Sequence, residues 1–373
     1  MGFINKVKQN LINLPGWRTS RKIIVFESDD WGSIRMPSKQ AYNYFLKKGY
    51  PVNHCAYSKN DALESNTDVA FLAEVLSEVK DAHNNPAIFT LNMISGNPDF
   101  VSIKKDNFNQ YHWEPFYETL DKYPHHNKVL DYYRQGIEDK VFQPQYHGRE
   151  HINVSRWMDA LKTKEKRLHV EFAHQTLTIP LVKNTTGRRD YLDAFGLKIN
   201  DKDESYDGIL KEGNNAFQAV WHFAPETFIA PCYTWHPDLE KTLKKIGVNA
   251  LQGTHVQRIP DQTKNGKVKR KYHYMGQKNS KAQRYLIRNA FFEPTEHRNT
   301  QVVENSLKNI KLAFSYQKPA IIQSHRLNYI GQIHQENRET NLKLLQNLLN
   351  AITKTYPDVE FMSSDQLLKL MMS

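Results

Sequence analysis

Short apolar runs recur along the chain, and each leads into polar side chains capable of chemistry. Ile23-Ile-Val-Phe26 runs into Glu27-Ser-Asp-Asp30, Ala87-Ile-Phe-Thr-Leu91 into Asn92, and Val141-Phe142 through Gln143-Pro-Gln-Tyr146 into His147. Thr227-Phe-Ile-Ala230 leads to Pro231-Cys-Tyr233, Val248-Asn-Ala-Leu251 to Gln252-Gly-Thr-His255, and Ala320-Ile-Ile-Gln-Ser324 to His325. Continuous apolar runs predict strands of a sheet covered on both faces. Between them, apolar residues repeat at helical spacing over Asp68–Val79, Ser155–Lys166, Pro237–Ile246 and Glu339–Thr355. Pro237-Asp238 and Gly247 are start and stop signals for the third of these. The alternation predicts an α/β protein with a parallel sheet, as a distorted (β/α)7-type barrel. The C-terminal ends of barrel strands share one mouth, so the polar termini read as one site.

Two stretches break the alternation and read as insertions. Residues 96–140 hold nine of the chain's 43 aromatics, all between Phe100 and Tyr133, and residues 183–215 are rich in Gly, Asp and Asn. The expected organisation is an N-terminal extension over residues 1–20 and a single barrel domain over 21–373 that carries both insertions.

Composition narrows the classes. No apolar run approaches the ~18 residues of a membrane span, and mean hydropathy is −0.70. The first residues lack the unbroken apolar core and small-residue cleavage site of an export signal. Two cysteines, Cys55 and Cys232, provide neither a disulfide framework nor a cysteine-based zinc site. These features lead to the expectation of a cytoplasmic protein. The net charge is +11, and residues 258–288 alone carry ten Lys/Arg against one Asp, or +9. That segment reads as a solvated hairpin or loop, with no nucleic-acid-binding signature elsewhere.

The strongest local signal is His147-Gly-Arg-Glu-His151. Two His at i and i+4 lie on one helical face, close enough to share a metal, while the Gly between them and the helical pattern that starts near Ser155 predict a strand-to-helix junction. Asp29-Asp30 supplies a carboxylate from another strand end, with one left over; adjacent Asp cost energy unless a cation or donors compensate. The same five residues also match the H-x-x-E-H pattern of zinc peptidases, with Glu150 as base, which demands a helix around them. Glu171 and His174 read as residues flanking the site or of a surface helix, His125-His126 as a solvated pair, and Cys232 and Trp235 as packing residues.

In order, these segments resemble the polysaccharide deacetylases of the NodB-homology type, carbohydrate esterase family 4, over roughly residues 20 to 370. Phe26-Glu-Ser-Asp29-Asp30-Trp31-Gly32 is similar to their Asp-Asp strand end, and His147 with His151 to their metal pair. Phe228-Ile-Ala-Pro231-Cys-Tyr233 is similar to their Phe-Arg-x-Pro-Tyr motif, and Ile321-Ile-Gln-Ser-His325 to the strand that ends in a catalytic His. The resemblance implies that Asp30, His147 and His151 bind a divalent metal, zinc by preference. It makes Asp29 the base, His325 the acid for the leaving amine or alcohol, and the Tyr233 N–H an oxyanion donor. Trp31, Pro231 and Tyr233 become sugar contacts, and the substrate an amino-sugar glycan or glycan precursor that loses an N-acetyl group. Two departures stand out. Ile229 occupies the place of the Arg that orients the base, leaving Arg35, Arg149 or Arg326 to replace it. Gly253-Thr254-His255 occupies the place of the fourth motif, so His325 is expected without its usual Asp partner. The rival readings are a glycoside hydrolase using two carboxylates on the same barrel, an inactive carbohydrate-binding homologue, and the H-x-x-E-H peptidase.

Overall fold

The structure, a computed structural model, describes residues 10–180, 191–196, 205–261, 268–296 and 301–373. Its centre is a nine-stranded, all-parallel sheet. The strands are β1 (Lys22–Trp31), β2 (Phe89–Ile94), β3 (Phe142–Gly148), β4 (Thr227–Phe228), β5 (Ala250–Gly253), β6 (Arg284–Ile287), β7 (Ala290–Phe291), β8 (Ala320–His325) and β9 (Val359–Phe361). In space they run β6-β5-β4-β3-β2-β1-β8-β7, and β9 pairs with the start of β1. β1 is deeply placed: nine of its ten residues are buried, with Ile23–Phe26 at 0% exposure. Its β-branched and aromatic side chains fit a pleated surface buried on both faces.

The sheet curls until its two edges meet in one piece of chain. β6 pairs with β5 at one edge and β7 with β8 at the other, and only Arg288-Asn289 lie between β6 and β7. The Arg288 N–H donates to Gly253 O at 2.8 Å and the Asn289 N–H to Ile321 O at 3.1 Å, so these two residues step across the seam. The reading of residues 258–288 as solvated is therefore corrected in its second half. Tyr285, Leu286, Ile287 and Arg288 are buried and close the barrel. The first half fits that reading: Val256–Pro260 and Val268–Tyr272 form an antiparallel hairpin, and the second strand is exposed throughout.

Helices cover the outside of the sheet. The helix predicted at Asp68–Val79 spans Asn66–Glu78 and opens with a capping box in which Ser65 and Asp68 satisfy each other's ends. That predicted at Ser155–Lys166 stops at Lys162, because Lys164 takes φ +57° and a second helix restarts at Lys166–Ala173. Leu239–Lys245 and Gln335–Thr355 stand where helical spacing placed them. Within residues 96–140, Gly96–Pro98 pairs antiparallel with Trp113–Pro115, with one short helix between the two strands and two after them. Of residues 183–215, 183–190 and 197–204 lie outside the described residues.

Candidate active site

The turn that lets both aspartates serve one cavity lies at Asp30 itself. Successive strand side chains point to opposite faces, but Asp30 has φ +76° and the pairing of β1 with β2 slips between Ser28 and Trp31. A left-handed φ costs a non-glycine residue of order 1–2 kcal/mol, and Asp is among the residues that tolerate it best. Both carboxylates thereby line a cavity of about 460 Å³, together with Tyr57, His147, His151 and His325. Trp31 is carried the other way. It is fully buried, donates from Nε1 to Ser28 Oγ at 3.0 Å and packs edge-on against Tyr133. The expected sugar contact at Trp31 is thus corrected: its ring belongs to the core.

His147 and His151 meet without a helix. β3 ends at Gly148, whose φ of +117° folds the chain back, residues 149–153 are loop, and the next helix starts at Val154. The ring centroids lie 5.2 Å apart. The segment is the strand-to-helix junction expected there, and the i, i+4 spacing works through a strand end rather than one helical face. The helical context that H-x-x-E-H chemistry needs is absent, and Glu150 is ion-paired to Arg149.

His151 Nε2 lies 3.1 Å and His147 Nε2 3.3 Å from Asp30 Oδ1. The ligand atoms of the three buried residues fall within 4.8 Å of one another. His147 Nδ1 lies 2.8 Å from Ile229 O, so both its ring nitrogens face oxygen acceptors. A neutral imidazole donates from one nitrogen only. With Nδ1–H given to Ile229, the Nε2 lone pair faces a carboxylate oxygen, an arrangement that a cation between them satisfies. Two nitrogens and one oxygen suit a borderline divalent ion such as zinc. Burial pushes the Asp30 carboxyl up, but His151, the hydrogen bond to His147 and the Arg35 charge outweigh it and hold it well below the usual range. Burial lowers His151 despite Asp30, which favours the neutral, ligating form. Ile229 thus contributes its carbonyl to the ring of His147.

Asp29 belongs to a different set of partners. Arg288 grips it with a two-pronged fork, Nη2 to Oδ1 at 2.6 Å and Nη1 to Oδ2 at 2.7 Å, and donates from Nε to Glu27 Oε2 at 2.7 Å. Asn92 adds a bond to Asp29 Oδ1 at 2.8 Å. Burial works against ionisation of Asp29, yet Arg288, His325 and His147 together bring its carboxyl below the ordinary value. None of the three arginines expected to replace the missing motif residue does so. Arg35 lies 3.6 Å from Asp30 Oδ2, Arg149 pairs with Glu150 and Glu212, and Arg326 with Asp61 and Glu64.

His325, at the end of β8, has the partner that the sequence failed to reveal. Its Nδ1 lies 2.6 Å from Glu293 Oε1, and its Nε2 lies 3.6 Å from Asp29 Oδ2. Asn328 holds the other oxygen of Glu293 at 2.8 Å. Burial lowers the imidazole, but Glu293, Asp29 and Asp30 prevail and push it up to about 10, so it is cationic at neutral pH. The expectation of an unpartnered His325 is corrected. Arg288 and Glu293 both follow short apolar runs, Tyr285-Leu-Ile287 and Phe291-Phe292, the same signal that marked the other strand ends.

The third motif is only partly as expected. Cys232 and Tyr233 both take left-handed φ, in a turn where the Tyr233 N–H donates to Ala230 O at 2.9 Å. That amide is engaged within its own turn, which corrects its expected place at an oxyanion. The phenol of Tyr233 instead donates to Gln323 Oε1 at 3.0 Å, accepts from Arg288 Nη1 at 3.2 Å, and lines the cavity. Pro231 is buried behind that wall, and Cys232 lines it. Trp235 packs with its Nε1 toward Glu240. Glu171 lies away from the cavity, ion-paired to Arg167, its carboxyl raised by burial to about 7, and His174 stacks on Tyr44. His125 is exposed as expected, but His126 is buried, with its ring nitrogens on the Pro124 and Leu63 carbonyls, which corrects that half of the solvated pair.

No known family model and no curated protein matches the sequence. Solved structures do. A 4-alpha-glucanotransferase from Thermococcus litoralis matches at 10% identity and TM-score 0.45, over 94% of this chain and 40% of its own. A putative polysaccharide deacetylase from Mycobacterium smegmatis matches at 11% identity and TM-score 0.42, over 96% and 92%. A CE4 family pseudoenzyme from Bacillus anthracis matches at 10% identity and TM-score 0.39, over 93% and 66%. The chain spans less than half the length of the glucanotransferase. The case for function therefore rests on the side chains of the cavity.

Proposed function

We propose that the chain is a metal-dependent hydrolase that removes an acyl group, most simply N-acetyl, from an amino-sugar glycan or glycan precursor. One observation carries the reading. A single cavity brings together an Asp-His-His triad, a carboxylate held ionised by a guanidinium fork, and an imidazole held cationic by a buried glutamate. Asp30, His147 and His151 hold a divalent ion, with zinc favoured by the donor set; when bound, it polarises an acyl carbonyl and lowers the pKa of water. Asp29 takes the proton of the attacking water. The fork from Arg288 fixes the direction of its lone pairs, and Glu27 anchors that fork from behind. His325 gives its Nε2 proton to the departing nitrogen, and Glu293 steadies the ring on the Nδ1 side. Asp29 and His325, 3.6 Å apart, would thus offer a base and an acid to one cavity.

The test is acetate release from acetylated amino sugars, free, oligomeric and nucleotide-linked, by protein loaded with zinc and by protein treated with chelator. Zinc-dependent acetate release is the expected result. New reducing ends without acetate would replace this reading with the glycosidase, and intact substrates throughout would favour a binding homologue.

A further inference from the structure

The basic hairpin is the part of the sequence that the catalytic reading leaves unused. Lys269, Arg270 and Lys271 follow one another on a strand whose five residues are all exposed, and none forms an ion pair among the described residues. Across the hairpin, Arg258 stands directly opposite Arg270, and Gln257 opposite Lys271. Like charges facing each other across a strand pair destabilise it, so this register is held at a cost that an anionic partner would relieve. Asp261 is the sole acid among the hairpin's described residues.

Apolar side chains stand beside these charges. Tyr272 is 64% exposed and Tyr274 42%, and the N-terminal segment that packs alongside presents Leu11 at 60% and Leu14 at 54%. The Trp17 N–H to Met275 O bond, at 2.8 Å, ties that segment to the chain following the hairpin. Leu11, Tyr272 and Tyr274 share a groove of about 540 Å³ with Arg270. Three of the eleven large apolar residues exposed among the described residues thus line one groove with Arg270, Leu14 lies three residues beyond Leu11, and Lys269 and Lys271 stand on the other face of the same exposed ribbon. A nucleic acid answers the charges but offers nothing to the two leucines, and an acidic protein would have to match this groove side chain by side chain. An anionic bilayer needs no such match: its interface takes exposed tyrosines and leucines, and its charge reaches the basic side chains on both faces of the ribbon within a Debye length.

We infer that this corner docks the protein onto the surface of an anionic lipid bilayer. The surface is continuous with the catalytic cavity, since Arg258 of the same hairpin lines that cavity. Docking is independent of the reaction, and its test needs no substrate.

The full chain is sedimented with vesicles of phosphatidylcholine, with and without phosphatidylglycerol. The chain is expected to pellet with the anionic vesicles alone and to be released by raised salt, because exposed charges are screened. Lys269→Glu with Lys271→Glu is expected to lower partitioning on the order of 10-fold or more. Leu11→Ser with Tyr272→Ser is expected to weaken it while leaving the salt dependence in place. All four side chains are exposed, so circular dichroism and zinc content should match the parent. Equal pelleting with neutral vesicles, no pelleting, or charge-reversed protein that pellets like the parent would overturn the inference. So would tight binding to duplex DNA or RNA, lost on charge reversal, by a chain that ignores vesicles.

Discussion

Asp29 and Asp30 are chemical twins joined by one peptide bond, yet they belong to two different regions. Asp30 turns at φ +76° into a cluster of two imidazoles, 3.1 and 3.3 Å from its Oδ1. Asp29 stays in strand register with His325 and is gripped by a guanidinium that also holds Glu27. In the first region two imidazole nitrogens and a carboxylate oxygen converge on one point; in the second, a guanidinium occupies both oxygens of the carboxylate. Identical side chains therefore acquire different jobs from backbone direction and from what the neighbouring strands present. Expected failures differ accordingly: damage on the Asp30 side should appear in metal content, and damage on the Asp29 side in turnover.

The largest effect is expected for His147→Ala or His151→Ala, which should abolish metal binding and activity together while the protein stays folded. Full metal occupancy in either variant, by elemental analysis, would remove the triad from the account. Next comes Asp29→Asn. It should keep its metal and lose on the order of 10²–10⁴ in rate, the usual worth of a general base; a rate near the parent's would assign the base elsewhere.

Arg288→Lys should be milder. Lysine keeps the charge but not the planar fork. A loss on the order of 10–100-fold is expected, as for other residues that orient a ligand or base, with the acidic limb of the pH–rate profile moved upward as the Asp29 carboxyl rises. An unmoved limb would reduce Arg288 to packing. Smallest is Glu293→Gln, which should bring the His325 titration down from about 10 toward its ordinary value, with the basic limb following. The stability that the cationic ring contributes is present in full below about pH 6.5 and is lost as pH rises toward 10. The stability gap between parent and variant should thus narrow over that interval. A gap that widens would contradict the pairing.

The strand-end motifs were legible because each carries its own apolar run: β1 before Asp29-Asp30, β3 before His147, β8 before His325. The positioning residues were not. Arg288 sits at the end of a stretch dominated by Lys and Arg, so composition hid a four-residue barrel strand inside what reads as solvated loop. Glu293 follows a two-residue strand, too short for periodicity to register. An arginine and an acid at these strand ends, Arg288 and Glu293, reach Asp29 and His325 through space. The turn at Asp30, which buries Trp31, is a backbone event with no side-chain pattern to announce it.

The most direct test compares zinc binding by Asp29→Asn and Asp30→Asn in parallel titrations, with no substrate present. Asp29→Asn is expected to bind one zinc per chain as the parent does, and Asp30→Asn to bind it markedly more weakly. Loss of zinc in Asp29→Asn with retention in Asp30→Asn would exchange the two roles and contradict the division of the site.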